Sequence, residues 1–125
     1  MIRAVLSLAV GLSLMAAAAQ AQGPAGDSTH GQSLFQDRCS MCHVLGGQGM
    51  GPDLTGVVGR KAGALPGFNY TPALIASGLT WTPAQLERFL TDPRGLVPGT
   101  AMRIKLSDPT DRRDLVAYLR TLGKR

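Results

Sequence analysis

Cysteine is nearly absent from this chain, with two among 125 residues, at positions 39 and 42. That excludes a multi-disulfide framework, and a bridge between positions so close would close a loop too small to constrain the rest. Aromatic residues are scarce as well. One Trp, two Tyr and three Phe are present, and they are not interleaved with the basic residues. No block of Lys or Arg occurs, so the formal charge of +5 describes a dispersed surface and no nucleic-acid partner is expected. No segment alternates apolar and polar residues as a half-buried strand would.

Residues 1–21 are expected to lie outside the fold. Arg3 gives a positive start, residues 4–19 are apolar or small, and Ala19-Gln20-Ala21 fits the small-x-small cleavage rule. This is a cleaved signal peptide on that reading, and bacterial export to the periplasm follows. A retained membrane anchor is the alternative, but the stretch is short and no stop-transfer charge follows it. No Cys sits just past the cut to carry a lipid. Residues 22–125 then form the domain, 104 residues (125 less 21) with twelve Lys or Arg against eight Asp or Glu, about +4. A domain this small, rich in Gly and Pro, has a weak core and needs a staple.

The staple must involve the run Cys39-Ser40-Met41-Cys42-His43. Zinc would need four ligands, and His30 is the one other His in the chain. A thioredoxin-like pair wants a βαβ context that is missing here. The remaining reading is c-type haem attachment, which C-x-x-C-H signals directly. Two thiols three positions apart suit the two vinyl groups on one porphyrin edge, and the next residue, His43, is placed beneath the iron. The occupant of the sixth coordination position decides the function, because Met/His ligation favours electron transfer and an open position favours gas binding or catalysis. Met41 is trapped between the cysteines, and Met50 sits in a Gly-rich loop. Met102, after the turn-forming Pro98-Gly99, is the leading candidate. Gap-filling in the core is the ordinary use of a Met.

Around these residues the chain reads as all-α. A helix is expected from Asp27 to Arg38, capped by Asp27 or Ser28 and delivering Cys39. Residues 44–67 hold eight Gly and read as a loop wrapped around the cofactor. A short helix from Thr71 to Ser77 ends at Gly78. Thr82-Pro83-Ala84-Gln85 is a capping-box pattern that opens a third helix, which Asp92-Pro93 ends. Asp108-Pro109 opens the last, with Leu115, Leu119 and Leu122 on one stripe and Gly123 as its stop.

From about Asp27 to Leu122 the chain resembles class I cytochromes c, most closely the mitochondrial-like and short bacterial members. The resemblance implies the cytochrome c fold, with three main helices, a short helix and loops around one covalent haem c held by Cys39 and Cys42. It implies that Gly31 and Phe35 pack against Leu115 and Tyr118. In Gly51-Pro52-Asp53-Leu54, which is similar to the family's Gly-Pro-x-Leu, the Pro52 carbonyl would accept the His43 ring N–H and Leu54 would line the haem. Arg60, in Gly59-Arg60-Lys61-Ala62-Gly63, would sit near a propionate. Tyr70 and Trp81 would donate hydrogen bonds to propionates, with plain core aromatics as the alternative for both. Pro98-Gly99-Thr100-x-Met102 resembles the segment bearing the Met ligand, with Thr100 beside the haem. Leu96 and Ile104 stand where family members often carry aromatics.

The function implied is a monohaem one-electron carrier, cycling Fe(III)/Fe(II) with His43 and Met102 as axial ligands, and not an enzyme. Its partners would be redox proteins, such as a membrane-bound oxidase or reductase or an exported dehydrogenase. The chain is expected to be a monomer with no stable membrane insertion after cleavage. Arg38, Lys61, Arg103 and Lys105 are candidates to ring the haem edge and steer an acidic partner, against scattered solubilising charge as the alternative. Two other readings stay open. One is an electron-transfer subunit of an exported dehydrogenase or oxidase. The other is a haem gas sensor or peroxidase with a labile Met, for which His30 could be cited as a distal group, although a solvent-facing place on the first helix suits it better.

Overall fold

The computed structural model of the protein describes residues 25–123, so the expected signal peptide at 1–21 lies outside the described residues. Among the described residues five helices follow in order: α1 Ser28–Arg38, α2 Pro72–Ala76, α3 Pro83–Thr91, α4 Pro93–Leu96 and α5 Pro109–Thr121. Every start has a local cause. Asp27 caps α1, its carboxylate accepting from the amides of Thr29 and His30. Thr71 caps α2 and Thr82 caps α3 through their hydroxyls, and the Asp108 carboxylate accepts from Thr110 and Asp111 at the head of α5. Four of the five helices begin with Pro, whose fixed φ suits the first helical turn and whose missing N–H costs nothing there.

The helix α4 was not expected. Asp92-Pro93 does end α3, because Asp92 is extended (ψ 90°), but Pro93 then starts a further turn that runs to Leu96. No strand forms among the described residues. Instead the loop after Val57 and the segment entering α3 pair at one isolated antiparallel bridge, Lys61 with Thr80. Flanking amides extend it, Gly59 donating to Trp81 O and Trp81 to Arg60 O, each at 2.8 Å.

The terminal helices α1 and α5 pack across one another. At their crossing a Cβ on Gly31 would collide with the Asp114 carbonyl and lie 2.9 Å from the Tyr118 Cβ, so only Gly admits this approach. One turn on, Phe35 is buried and its ring stands 5.5 Å from that of Tyr118. Leu115, Val116 and Leu119 of α5 join Phe35, then Leu86, Phe89 and Leu90 of α3, in a single core with Val57, Trp81, Val97 and Leu106. The crossing fixes the C-terminal end of α1 in space, and the site begins at the next residue.

Candidate haem site

Cys39 is the C-cap of α1, its amide donating to Phe35 O at 2.9 Å. The chain does not leave there but makes one more tight turn, in which the amides of Cys42 and His43 both donate to Cys39 O, at 3.1 and 2.9 Å. Residues at i, i+3 and i+4 of such a turn share a side. Cys39, Cys42 and His43 are accordingly half-buried together, while Met41 points outward with 93% of its surface exposed.

The two thiols are unbridged. Burial pushes the Cys39 thiol up to about 11, against the opposing pull of Arg38. That shift disfavours the thiolate that dithiol exchange would need at this sulfur. Among the described residues no three His, Cys, Asp or Glu side chains assemble as a metal-ligand group, so a zinc site would lack donors.

His43 is held from two sides. Its Nδ1 lies 2.7 Å from Pro52 O. A carbonyl can only accept, so Nδ1 carries the proton and Nε2 keeps a lone pair in the neutral ring. Burial holds the His43 pKa below its ordinary value, with the Pro52 bond pulling the other way, so the neutral, ligating form prevails. The other face of the ring lies on Gly51, where a Cβ would come within 2.5 Å of Cε1 and 2.7 Å of Nδ1. The Gly51 amide donates to Cys42 O at 2.9 Å and closes this loop onto the cysteine turn.

Behind Pro52 the chain is stapled. Asp53 is buried, and its Oδ1 accepts from the Thr55 amide (2.9 Å) and hydroxyl (2.8 Å). The Arg60 guanidinium donates to Asp53 O at 2.9 Å and to Thr55 O at 3.2 Å, which ties the whole segment to the bridge beside Trp81. Leu54 packs against the core between them. The resemblance implies a place near a propionate for Arg60 and says nothing of these carbonyls; the Asp-x-Thr spacing at 53–55 is the local signal for the turn. Tyr70 accepts from the Leu65 amide at 3.3 Å and stacks edge-on to Phe68, centroids 4.8 Å apart, so its O–H is left to donate. Trp81 is buried with its ring 4.9 Å from Phe89.

Met102 comes from the opposite end of the chain. After α4, the Thr100 amide donates to Val97 O at 3.0 Å and Gly99 takes φ 94°, a left-handed turn suited to Gly. A Cβ on Gly99 would lie 3.0 Å from that of Ala73, so this turn rests on α2. Thr100 is buried, and Met102 is half-buried against the same core as Cys39, Leu54, Leu74, Leu79 and Leu96. Met50, by contrast, is 85% exposed. The structure thus joins Cys39, Cys42, His43 and Pro52 by direct bonds and groups Arg60 with Trp81. It brings Met102 and Thr100 to the same core on a separate loop.

The donor set fits a c-type haem: two unbridged thiols, a neutral imidazole aimed by its carbonyl, and a half-buried thioether. His30 takes no part in this set. Its Nδ1–H donates to Asp114 Oδ2 at 2.8 Å, so it is neither a distal group nor simply solvent-facing but a tie between α1 and α5.

Comparison with known proteins agrees. The family model described as Cytochrome c matches residues 28–123. The chain is 45% identical over 102 residues to cytochrome c2 of Rhodopila globiformis, covering 79% of this chain and 96% of that one. It is 46% identical over 101 residues to cytochrome c2 of Rhodomicrobium vannielii, with 78% and 80% covered. The solved structure of cytochrome cH from Methylobacterium extorquens superposes with a TM-score of 0.74 at 45% identity, over 77% of this chain and 99% of that one.

Proposed function

The chain belongs to the cytochrome c family, and on that premise we propose that it is an electron carrier whose His43 and Met102 would hold the iron of its one covalent haem c. When bound, the haem supplies a single iron that takes up and gives back one electron. The observation that carries the reading is the turn Cys39–His43, which presents two half-buried free thiols and a neutral, oriented imidazole on one side.

In this reading the thiols of Cys39 and Cys42 form the thioether links. Pro52 O fixes the ring rotation of His43 and raises its basicity as a ligand. Asp53, Thr55 and Arg60 hold Pro52 in place from behind. Met102 approaches on a loop anchored by buried Thr100 and by Gly99 against α2, so the thioether is carried on packed backbone. Residues held on packed backbone in this way would move little between oxidation states, which would keep the reorganisation of a carrier small. Tyr70 and Trp81 would donate to the propionates, and Leu54 would line the ring. With His43 and Met102 both holding the iron, no position would stay open to a substrate, which favours a carrier over a catalyst.

Residues 1–21 support export, and the periplasm of a bacterium as the place where it works. A soluble redox protein, a membrane-bound oxidase or reductase, or an exported dehydrogenase would be its partner, with docking near Cys39 and Cys42. No helix among the described residues is long and apolar enough to cross a membrane. The test is the optical spectrum of the dithionite-reduced protein before and after CO at neutral pH. An unchanged spectrum supports a strong sixth ligand and electron carriage; ready CO binding would replace it with gas sensing or catalysis.

A further inference from the structure

The arm that carries Met102 runs between two firm ends. At one end Thr100 is buried and its amide donates to Val97 O at 3.0 Å. At the other Leu106 is buried, and its amide donates to Leu90 O of α3 at 2.8 Å. The Arg112 guanidinium of α5 adds bonds to the Leu106 and Ser107 carbonyls, at 2.7 and 2.8 Å. Residues 101–105 lie between these ends, and among the described residues their backbone makes no hydrogen bond. Met102 is half-buried, while Ala101, Arg103, Ile104 and Lys105 are exposed. Side chains alone hold this stretch.

One of them reaches a fixed partner. Lys105 Nζ lies 3.0 Å from Asp92 Oδ1. Asp92 is the hinge between α3 and α4, with its amide donating to Arg88 O and its carbonyl accepting from Leu96. Its carboxylate makes no cap bond to α4 and is directed to the arm instead. A Cβ on Gly95 would collide with Asp92 Oδ2, so Gly at that position leaves the carboxylate its place. Lys105, expected from the sequence among the charges ringing the haem edge, is therefore engaged within the chain.

Both partners are about half exposed, 56% for Lys105 and 48% for Asp92, and such a pair adds little to global stability. Its leverage is local. Beyond the packing of Met102 itself, nothing else holds the arm between its ends, and opening a short segment costs far less than unfolding the domain. Resting on the carrier reading, we propose that Asp92 and Lys105 are positioning residues for the Met102 thioether. They form an ion-pair latch that sets how often the arm lifts Met102 from the iron.

The experiment follows imidazole binding to the oxidised, haem-loaded protein by stopped-flow absorbance. Imidazole is mostly uncharged at about pH 8, so salt acts on the protein and not on the probe. With Met102 in place the observed rate should level off at high imidazole, at the rate of arm opening. Asp92→Asn and Lys105→Gln should each raise that plateau about two- to fivefold, the size expected of an exposed ion pair. The double variant should go no further than either single one, because both remove the same contact. Asp92→Glu should restore most of the wild-type rate, and about 0.5 M salt should move the wild type toward the variants. Gln32→Lys, on the exposed surface of α1, changes the net charge as Asp92→Asn does and should leave the plateau unchanged.

Unchanged plateaus in both single variants overturn the proposal, as do effects that multiply in the double variant. A urea midpoint that falls in step with the faster plateau also overturns it, since the pair would then be a general stabiliser. A wild-type rate that climbs in proportion to imidazole, with no plateau, defeats the carrier reading itself and the latch with it.

Discussion

At His43 two neighbours set everything the ring can do. Pro52 O takes the Nδ1 proton, and the bare backbone of Gly51 lies flat against the ring. Gly51→Ala should cost on the order of 2 kcal/mol of stability through overpacking, since the ring must rotate away and the 2.7 Å bond with it. Urea unfolding of the haem-loaded protein checks this; an unchanged midpoint would mean the ring has room to spare. Met102 and Met50 make the second comparison at this scale. Reduced Met102→Ala should bind CO where the wild type does not, and Met50→Ala should behave as wild type, because Met50 is exposed and Met102 packs on the core. Both positions were visible in the sequence, Gly51 as part of a Gly-Pro run and the Met residues as candidates. Which glycine faces the ring was not visible, because that contact depends on where the loop closes.

Among elements, the junction of α1 and α5 carries a titrating pair. Asp114 is buried, and accepts from the Asp27 amide at 2.8 Å and from His30 Nδ1–H at 2.8 Å, while Asp27 caps α1. The hydrogen bond with Asp114 raises the His30 pKa above its ordinary 6.5, and the charges of Asp114, Asp111 and Asp27 add to it against desolvation. The hydrogen bond with His30 is also the main cause holding Asp114 below its ordinary 3.8, aided by the Asp27 amide and the charge of Arg113. His30 therefore stabilises the folded protein fully below pH 6.5, and that part is lost as pH rises through its raised value. Asp114 stabilises above pH 3.8, and that part is lost as pH falls through its lowered value. Unfolding midpoints should form a plateau between those limits, and His30→Ala should remove the fall on the alkaline side. Parallel profiles for wild type and variant from pH 5 to 9 would sink the idea. The helices themselves were legible from Asp27, Thr82 and Asp108, whose capping acts within three residues. The tie between them spans 84 residues of sequence and has no local signal.

For the whole molecule, the ledger of apolar burial is short. Among the described residues twelve buried hydrophobics form the core, half of them from α3 and α5, and 44–67 contributes chiefly Val57 and Ala62 to it. A domain of this size with so few core residues depends on its covalent cofactor for cohesion. Cys39→Ser/Cys42→Ser should lose most helical circular dichroism at 25 °C, with the remaining chain unfolded or loosely collapsed. Retention of a cooperative thermal transition would show instead that the α1–α5 crossing suffices.

By itself the sequence determined what acts over a few residues: the thiol spacing and the His beside it, the capped helix starts, and the turn at Gly99. Those features follow from backbone geometry, which is complete within one or two turns. Tertiary structure decided which Met turns inward, that Arg60 serves the carbonyls of Asp53 and Thr55, and that His30 clasps Asp114. Each of these is a contact between segments, and burial and pairing between segments are set only when the core brings them together.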